Sequence, residues 1–359
     1  SLEISSVPKT GSGAFSMGVR VRRASVTIVV LHFSHISSDE QYNTAVSQYI
    51  IRRLLLIPIT LLILSLGTAM IMRLTPGDVV AARLADGYTP ERAEALREHL
   101  GLNENFLVAY GKWMGNAFRG NFGTSLMTDK PVSQEIKKRF PVTFELVILT
   151  VVVQALIAIP LGAVAAVRQN KMSDHGIRLL SVIILAVPSF VIAVALLKFP
   201  AVWWGWFPPF GYVPFLDDPI QNLKIYMLPV ICGSLGLMAT LIRLTRTELL
   251  EVLRQDYIRT ATAKGLRSYI VVQRHALRNA LIPVITVLGL SFGGALGGVV
   301  IMESIFSLPG LGLYMLNAVR NEDFLAVQTL VVFSGFMFVA VNLAVDLVYA
   351  FLNPRIRYS

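Results

Sequence analysis

A run of about 20 apolar residues leaves a chain few choices, because in an apolar medium its backbone polar groups must be satisfied within the run itself. Six such runs occur here, at 50–72, 142–167, 177–199, 225–244, 281–306 and 325–352. A helix satisfies its backbone internally, so the sequence predicts an all-α polytopic membrane protein with six transmembrane helices. Composition agrees: 54% of the residues are hydrophobic and 15% charged, against about 25% charged in a soluble domain.

The net charge of +10 is unevenly spread. Arg52 and Arg53 precede the first run, and Arg168, Lys171 and Arg178 follow the second. Arg243, Arg246, Arg254, Arg259, Lys264, Arg267, Arg274 and Arg278 crowd between the fourth and fifth, and Arg355 and Arg357 follow the sixth. The links after the third and fifth runs hold few cations. This positive-inside bias places both termini in the cytoplasm and makes membrane lipid, not nucleic acid, the partner of the charge. Trp203, Trp204 and Trp206 fall where the third run meets the outer interface, as an aromatic belt does.

The parts between runs differ in kind. Residues 1–48 are rich in Ser, Gly and Lys/Arg with one apolar patch, 26–33, too short to span. They are expected to form a disordered or surface-lying cytoplasmic extension, without a cleavage-site pattern. The first span occupies 49–73. Residues 74–140 read as a small extracytoplasmic domain, or as a structural cap on the first two helices. In it, Thr89-Pro90-Glu91 has the form of a helix start, Gly101 of a stop after Leu100, and 106–118 the pattern of a second, amphipathic helix. The core follows at 141–352, with a basic segment at 254–280 and a short cytoplasmic tail at 353–359.

Catalytic chemistry is hard to place. No GxxxxGK[ST] loop, HExxH pair or GxSxG elbow occurs, and the five histidines form no i,i+4 pair. No catalytic residue, metal-ligand set or cofactor site is expected on this chain. Cys232 stands alone in an apolar run and reads as a packing residue. Glu145, Lys198, Glu303 and Asp346 are the ionisable groups in or near the spans. The first three sit near span ends, where snorkelling explains them, and Asp346 lies near Arg355 and Arg357, as an ion pair or cap would. A proton-coupled carrier would need several carboxylates deep in one bundle, so a secondary transporter is disfavoured.

The segment "RTATAKGLRSYIVVQRHALRNALIPV" at 259–284 interrupts this oily chain. As a helix from Asp256 to Leu266, it has Asp256 at its dipole-positive start, Lys264 near its end and Gly265 as its stop, where a side chain would clash. Tyr257, Ala261 and Gly265 then share one face at i, i+4, i+8, minimal enough for another protein to approach closely. Arg259 and Lys264 offer charge on the opposite face. Such a stretch suits a docking helix lying along the membrane; a solvated basic loop beside anionic lipid is the alternative.

"DYIRTATAKGL…RHALRNALIPV" closely resembles the cytoplasmic signature of ATP-binding-cassette importer permeases in their dipeptide/oligopeptide form. Arg259, Thr260 and Ala261 hold the places of the general Glu-Ala-Ala, and Gly265 that of its glycine. "RRLLLIPIT", "LTPGD", "HLGLNENFLVAYGKW", "GNFGTS", "RFPVTFEL", "VPSF", "ESIFSLPGLG" and "NPRIRY" agree, so the resemblance runs from about residue 50 to the last. It is similar to the B-type permease of the importer pair, and it implies a type I ABC importer permease fold.

The resemblance further implies half of a translocation pathway, completed by a second, homologous permease. Two ABC ATPase subunits would hold the ATP and Mg, and an extracytoplasmic substrate-binding protein would deliver a peptide; relatives of this kind also carry nickel chelates or oligosaccharides. Asp256, Tyr257, Arg259, Thr260, Ala261, Lys264 and Gly265 would couple to the ATPases in a bacterial or archaeal inner membrane. Gly289, Gly293 and Gly297 share one face of the fifth span, where small residues allow close crossing of the partner permease, of the pore, or of another helix of the chain itself. Pro188 interrupts the third span and is a further candidate for the pathway or the partner-permease contact. Glu303, Pro309 and Gly310, in an expected outer turn, are candidates for an outer gate or a binding-protein contact.

Overall fold

A computed structural model of the chain describes residues 55–71, 73–74, 89–99 and 103–352, all within one unit spanning 55–354. The expectations for residues 1–48, for Gly101 and for the tail at 353–359 lie outside the described residues. So do the surroundings of Gly297 and Asp346.

Every named element is a helix. α1 (Leu55–Ile71) is a shorter apolar helix. α2 (Pro90–His99) and α3 (Phe106–Phe118) follow. α2 starts at the proline, and Ala93 N–H reaches back to Thr89 O. Asn105 caps α3 by accepting from Leu107 N–H at 3.0 Å. The Ser65 hydroxyl meets the Tyr110 hydroxyl at 2.6 Å and ties α3 to α1.

Four helices are long and apolar enough to cross a membrane outright. They are α4 (Val132–Val167), α7 (Pro219–Leu253), the helix within 268–295 that continues as α9 (Leu277–Phe306), and α11 (Phe324–Leu352). The third expected span is not one straight helix. It is built as α5 (Met172–Ala186) and α6 (Ser189–Trp204), bent by 89°. Pro188 causes the break: a proline crowds the preceding residue out of the helical region, and Val187 is accordingly extended, at φ −105° and ψ 121°. With this broken pair five of the six expected runs are helices that can span, and α1 fills the described part of the first run.

The long helices overrun their apolar runs. α7 begins at Pro219, six residues before the hydropathy pattern, because Asp218 accepts from Ile220 and Gln221 N–H at 3.1 and 3.0 Å and the proline fits the first helical position. It ends at Leu253, so Arg243 and Arg246 lie inside a helix and not in a loop. α4 and α7 form the central pair. Gly162 lets them cross: a Cβ there would lie 2.6 Å from Thr245 Cβ and 2.7 Å from Ile242 O. Tyr226 donates to Val142 O at 3.0 Å across the same pair. Leu146, Val147, Tyr226, Met302 and Phe306 pack into a core that includes the buried Cys232.

One ion pair fixes the broken span to this core. Asp174, fully buried in the first turn of α5, receives Arg246 of α7 at two points, Nε–Oδ1 2.7 Å and Nη2–Oδ2 2.8 Å. Asn170 N–H adds a third bond at 3.0 Å. Removing one partner strands the other. Asp174→Ala should therefore cost about 3–5 kcal/mol, read as a lowered melting temperature in detergent. The double change Asp174→Leu with Arg246→Leu should recover most of that loss; a double variant as unstable as the single one would show that the pair is not the tie.

Candidate functional site

At the basic end of α7 the chain turns through Arg254 and Gln255 into α8 (Asp256–Ala263). Ile258 holds α8 down: it is buried among Ala166, Leu249, Val271 and Ala276. The Tyr257 hydroxyl accepts from Asn279 Nδ2 at 2.8 Å and lies 3.5 Å from His275 O. A short helical turn (Ser268–Ile270) and a π-helical segment (Val271–Ala276) then lead into α9. In the π segment Leu277 N–H reaches Val272 O, one residue further than in an α-helix.

Two expectations for this segment change. The helix ends at Ala263, so Gly265 shares no helical face with Tyr257 and Ala261. Gly265 has φ +78°, a left-handed value that makes it the stop, but a Cβ there would meet nothing within 4 Å. Substitution at 265 therefore strains the backbone and does not clash. Ala261 is half-buried against the Ile258 cluster, because a helix seated by Ile258 turns the residue three further on toward the same side. The open face is Arg259, Thr260, Ala263 and Lys264. Asp256 lies 3.5 Å from Arg259, both well exposed, and such a pair is worth little. Leu266, Tyr269 and Ile270 extend the surface with exposed apolar groups, Tyr269 at 68%.

The glycine stripe of the fifth span is closed from inside the chain. A Cβ at Gly289 would run into Val345 of α11, and one at Gly293 would lie 2.8 Å from Phe338. Of the alternatives that the sequence left open, contact with a partner permease or a pore gives way at these two positions to packing against the chain's own last helix. Periodicity shows a small face but not which neighbour fills it.

The "ESIFSLPGLG" stretch forms a bend of 84° between Val299–Phe306 and α10 (Leu311–Arg320). Ser307 ends α9 in the left-handed region, and Leu308 N–H returns to Glu303 O at 2.9 Å. Glu303 is fully buried. Its Oε1 accepts from Thr143 Oγ1 at 2.6 Å and its Oε2 from Leu313 N–H at 2.8 Å, while Thr143 Oγ1 accepts from Leu311 N–H at 2.8 Å. The carboxylate thus serves the free N–H groups that open α10. Gly310 is buried, and a Cβ there would occupy the place of the Glu303 carboxylate, so the position admits no side chain. Neither residue offers a surface to a binding protein, and Pro309 is half-buried between them.

Asp323 does similar work and went unread in the sequence. Buried, it accepts from Ser125 Oγ at 2.5 Å, from Met127 N–H at 3.3 Å and, capping α11, from Ala326 N–H at 3.2 Å. An Asp just before an apolar run is a helix-start signal, and "NEDF" carries it. Among the described residues no three His, Cys, Asp or Glu side chains converge as a metal site would require.

Comparison with known proteins gives matches over nearly the whole described chain. Residues 158–358 match the binding-protein-dependent transport system inner membrane component, and 46–147 match the N-terminal model of such membrane components. A putative peptide transport system permease protein of Brucella abortus (strain 2308) is 42% identical over 299 residues, 83% of this chain and 95% of that one. The dipeptide transport system permease protein DppB of Alkalihalophilus pseudofirmus is 37% identical over 86% of this chain and 99% of its own. The oligopeptide transport system permease protein AppB of Bacillus subtilis (strain 168) is 38% identical over the same shares.

The carboxylate knot yields a direct test. Thr143→Val keeps the shape but removes a donor from Glu303 and an acceptor from Leu311, leaving buried polar groups unpaired. A loss of about 1–3 kcal/mol is expected, seen as earlier thermal unfolding in detergent, with Thr143→Ser close to the parent protein. Equal stability of the valine variant would mean that the knot does not hold α10.

Proposed function

This chain belongs to the family of binding-protein-dependent transport system inner membrane components, and from that premise we propose that it is one permease subunit of an ATP-driven importer of di- and oligopeptides. It forms half of the translocation pathway, with a second, homologous permease as the other half. ATP and Mg are held by two partner ATPase subunits, and an extracytoplasmic binding protein delivers the peptide. Both termini and α8 face the cytoplasm, in keeping with the cations gathered at that end of the bundle.

The observation that carries this reading is the seating of α8. Its inner side is anchored to α4, α7 and the start of α9 through Ile258 and Tyr257, while its outer side stays open. A helix that was only a solvated basic loop would need no such anchor. Force applied to the open face by a closing pair of ATPases would reach the spanning helices and switch the permeases between inward-open and outward-open states. The peptide cargo rests on the names of the relatives, each of which is named as a peptide transport permease, that of Brucella abortus as a putative one.

The open face dictates the experiment. Ala263→Trp adds bulk outside, at a position that packs against none of the buried core. At the centre of an interface it should cost about 2 kcal/mol or more, so ATPase subunits should fail to co-purify and peptide uptake into proteoliposomes should be lost. Arg259→Lys should weaken coupling less, since a point charge replaces a planar fork. Ala261→Trp, by contrast, should lower the melting temperature of the permease alone. If Ala263→Trp and Thr260→Trp both keep their ATPases and their uptake, α8 is not the docking helix.

A further inference from the structure

A second basic feature shares no residue with the open face of α8. Between the start of α5 and the last third of α7 is a cleft of about 510 Å³. His175 and Arg178 line it from α5, and Arg243, Arg246 and Thr247 from α7. Leu179 and Val182 complete one wall and are 62% and 56% exposed.

The charges of the cleft are unbalanced. Its lining has no carboxylate. Asp174 lies beneath it but is engaged at both oxygens by Arg246. Arg178 reaches Asp174 only at 3.9 Å and touches His175 Nδ1 at 2.8 Å, with half of its side chain exposed. Arg243 is exposed and makes no hydrogen bond or ion pair with any described residue. Two guanidiniums, one from each helix, therefore face the cleft with donors to spare.

The order of side chains along α5 identifies the ligand class. His175, Arg178, Leu179 and Val182 fall at i, i+3, i+4 and i+7, on one stripe. Cations come first and branched aliphatics follow. From Leu179 to Val187 every exposed side chain is aliphatic. A small soluble anion would use the cations alone. A soluble protein docking from the water side would meet a polar rim beyond the cleft, and the exposed side chains that follow on α5 are aliphatic. Only an amphiphile with an anionic head matches both halves of the stripe.

We propose that this cleft binds an anionic phospholipid, its phosphate between Arg178 and Arg243 and its acyl chains along Leu179 and Val182. The pair Asp174–Arg246 is the floor of the site and positions α5 against α7; it does not supply the binding charge. A bound lipid would brace the broken span where it meets the membrane surface.

Native mass spectrometry of the full chain in detergent tests this with phosphatidylglycerol and phosphatidylcholine of identical acyl chains. Phosphatidylglycerol should be retained in preference. Arg178→Ala and Arg243→Ala should each lower its affinity about fivefold, while Arg178→Lys and Arg243→Lys keep most of it and guard against a folding defect. Equal retention of the two lipids, or unchanged affinity in the double alanine variant, would overturn the proposal. So would displacement of the lipid by inorganic phosphate, which would make this a site for free anions. In the assembled transporter, cross-linking of a cysteine placed at Leu179 to another subunit would show a protein on this face and overturn it too.

Discussion

Within a bilayer no water completes an interrupted helix, so a chain that breaks its spans must bring partners for every backbone group that it frees. That requirement organises this structure more than any single apolar contact. The bend after α9 frees the first N–H groups of α10, and Glu303 and Thr143 answer them. The start of α11 frees another set, and Asp323 answers there while fastening Ser125 and Met127. The bend between α5 and α6 takes the cheaper course: Pro188 has no N–H to satisfy, and its carbonyl accepts from Val191 and Ile192.

The same requirement accounts for three of the buried acids of the bundle. Asp174, Glu303 and Asp323 each spend their oxygens on guanidinium, hydroxyl or backbone N–H donors nearby. Each sits at the opening turn of a helix or binds one. A carboxylate so held positions elements. The cost of burying the charge is offset locally, by two or three charge-assisted hydrogen bonds at each site.

Hydropathy alone located the spans, amphipathic pattern located α3, and turn chemistry located α2 and the glycine stop after α8, because those signals are local. What the sequence concealed was partnership. Asp174 meets Arg246 across 72 positions, Thr143 meets Glu303 across 160 and Ser125 meets Asp323 across 198. No periodicity links residues so far apart. The same gap misdirected the small residues. A stripe of glycines says that something comes close, and in this fold α11 does. Ala261 looked like part of a docking face until Ile258, the one buried residue of its helix, showed which way the helix is rolled. The span ends were misjudged for a different reason: Asp218 and the polar first turns of α4 extend helices past the apolar stretch that hydropathy measures.

α9 connects these features into one mechanical unit. Its start is joined to α8 by Asn279 and Tyr257 and carries a π-helical turn in front of it. Its middle is locked to α11 through Gly289 and Gly293, where the Val345 and Phe338 side chains fill the space a Cβ would need. Its far end holds α10 through Glu303. At 30 residues it is about 45 Å long, enough to cross a bilayer and reach past both faces. A push on α8 therefore meets an element already braced at three levels, with one irregular turn at 271–276 in front of it. Contiguous packing supplies a path, and on the proposed function the energy to use it would come from a ligand that binds α8 differently in two states. On the proposed function that ligand is the closing ATPase pair, and the Ser307–Gly310 bend is the far end of the lever.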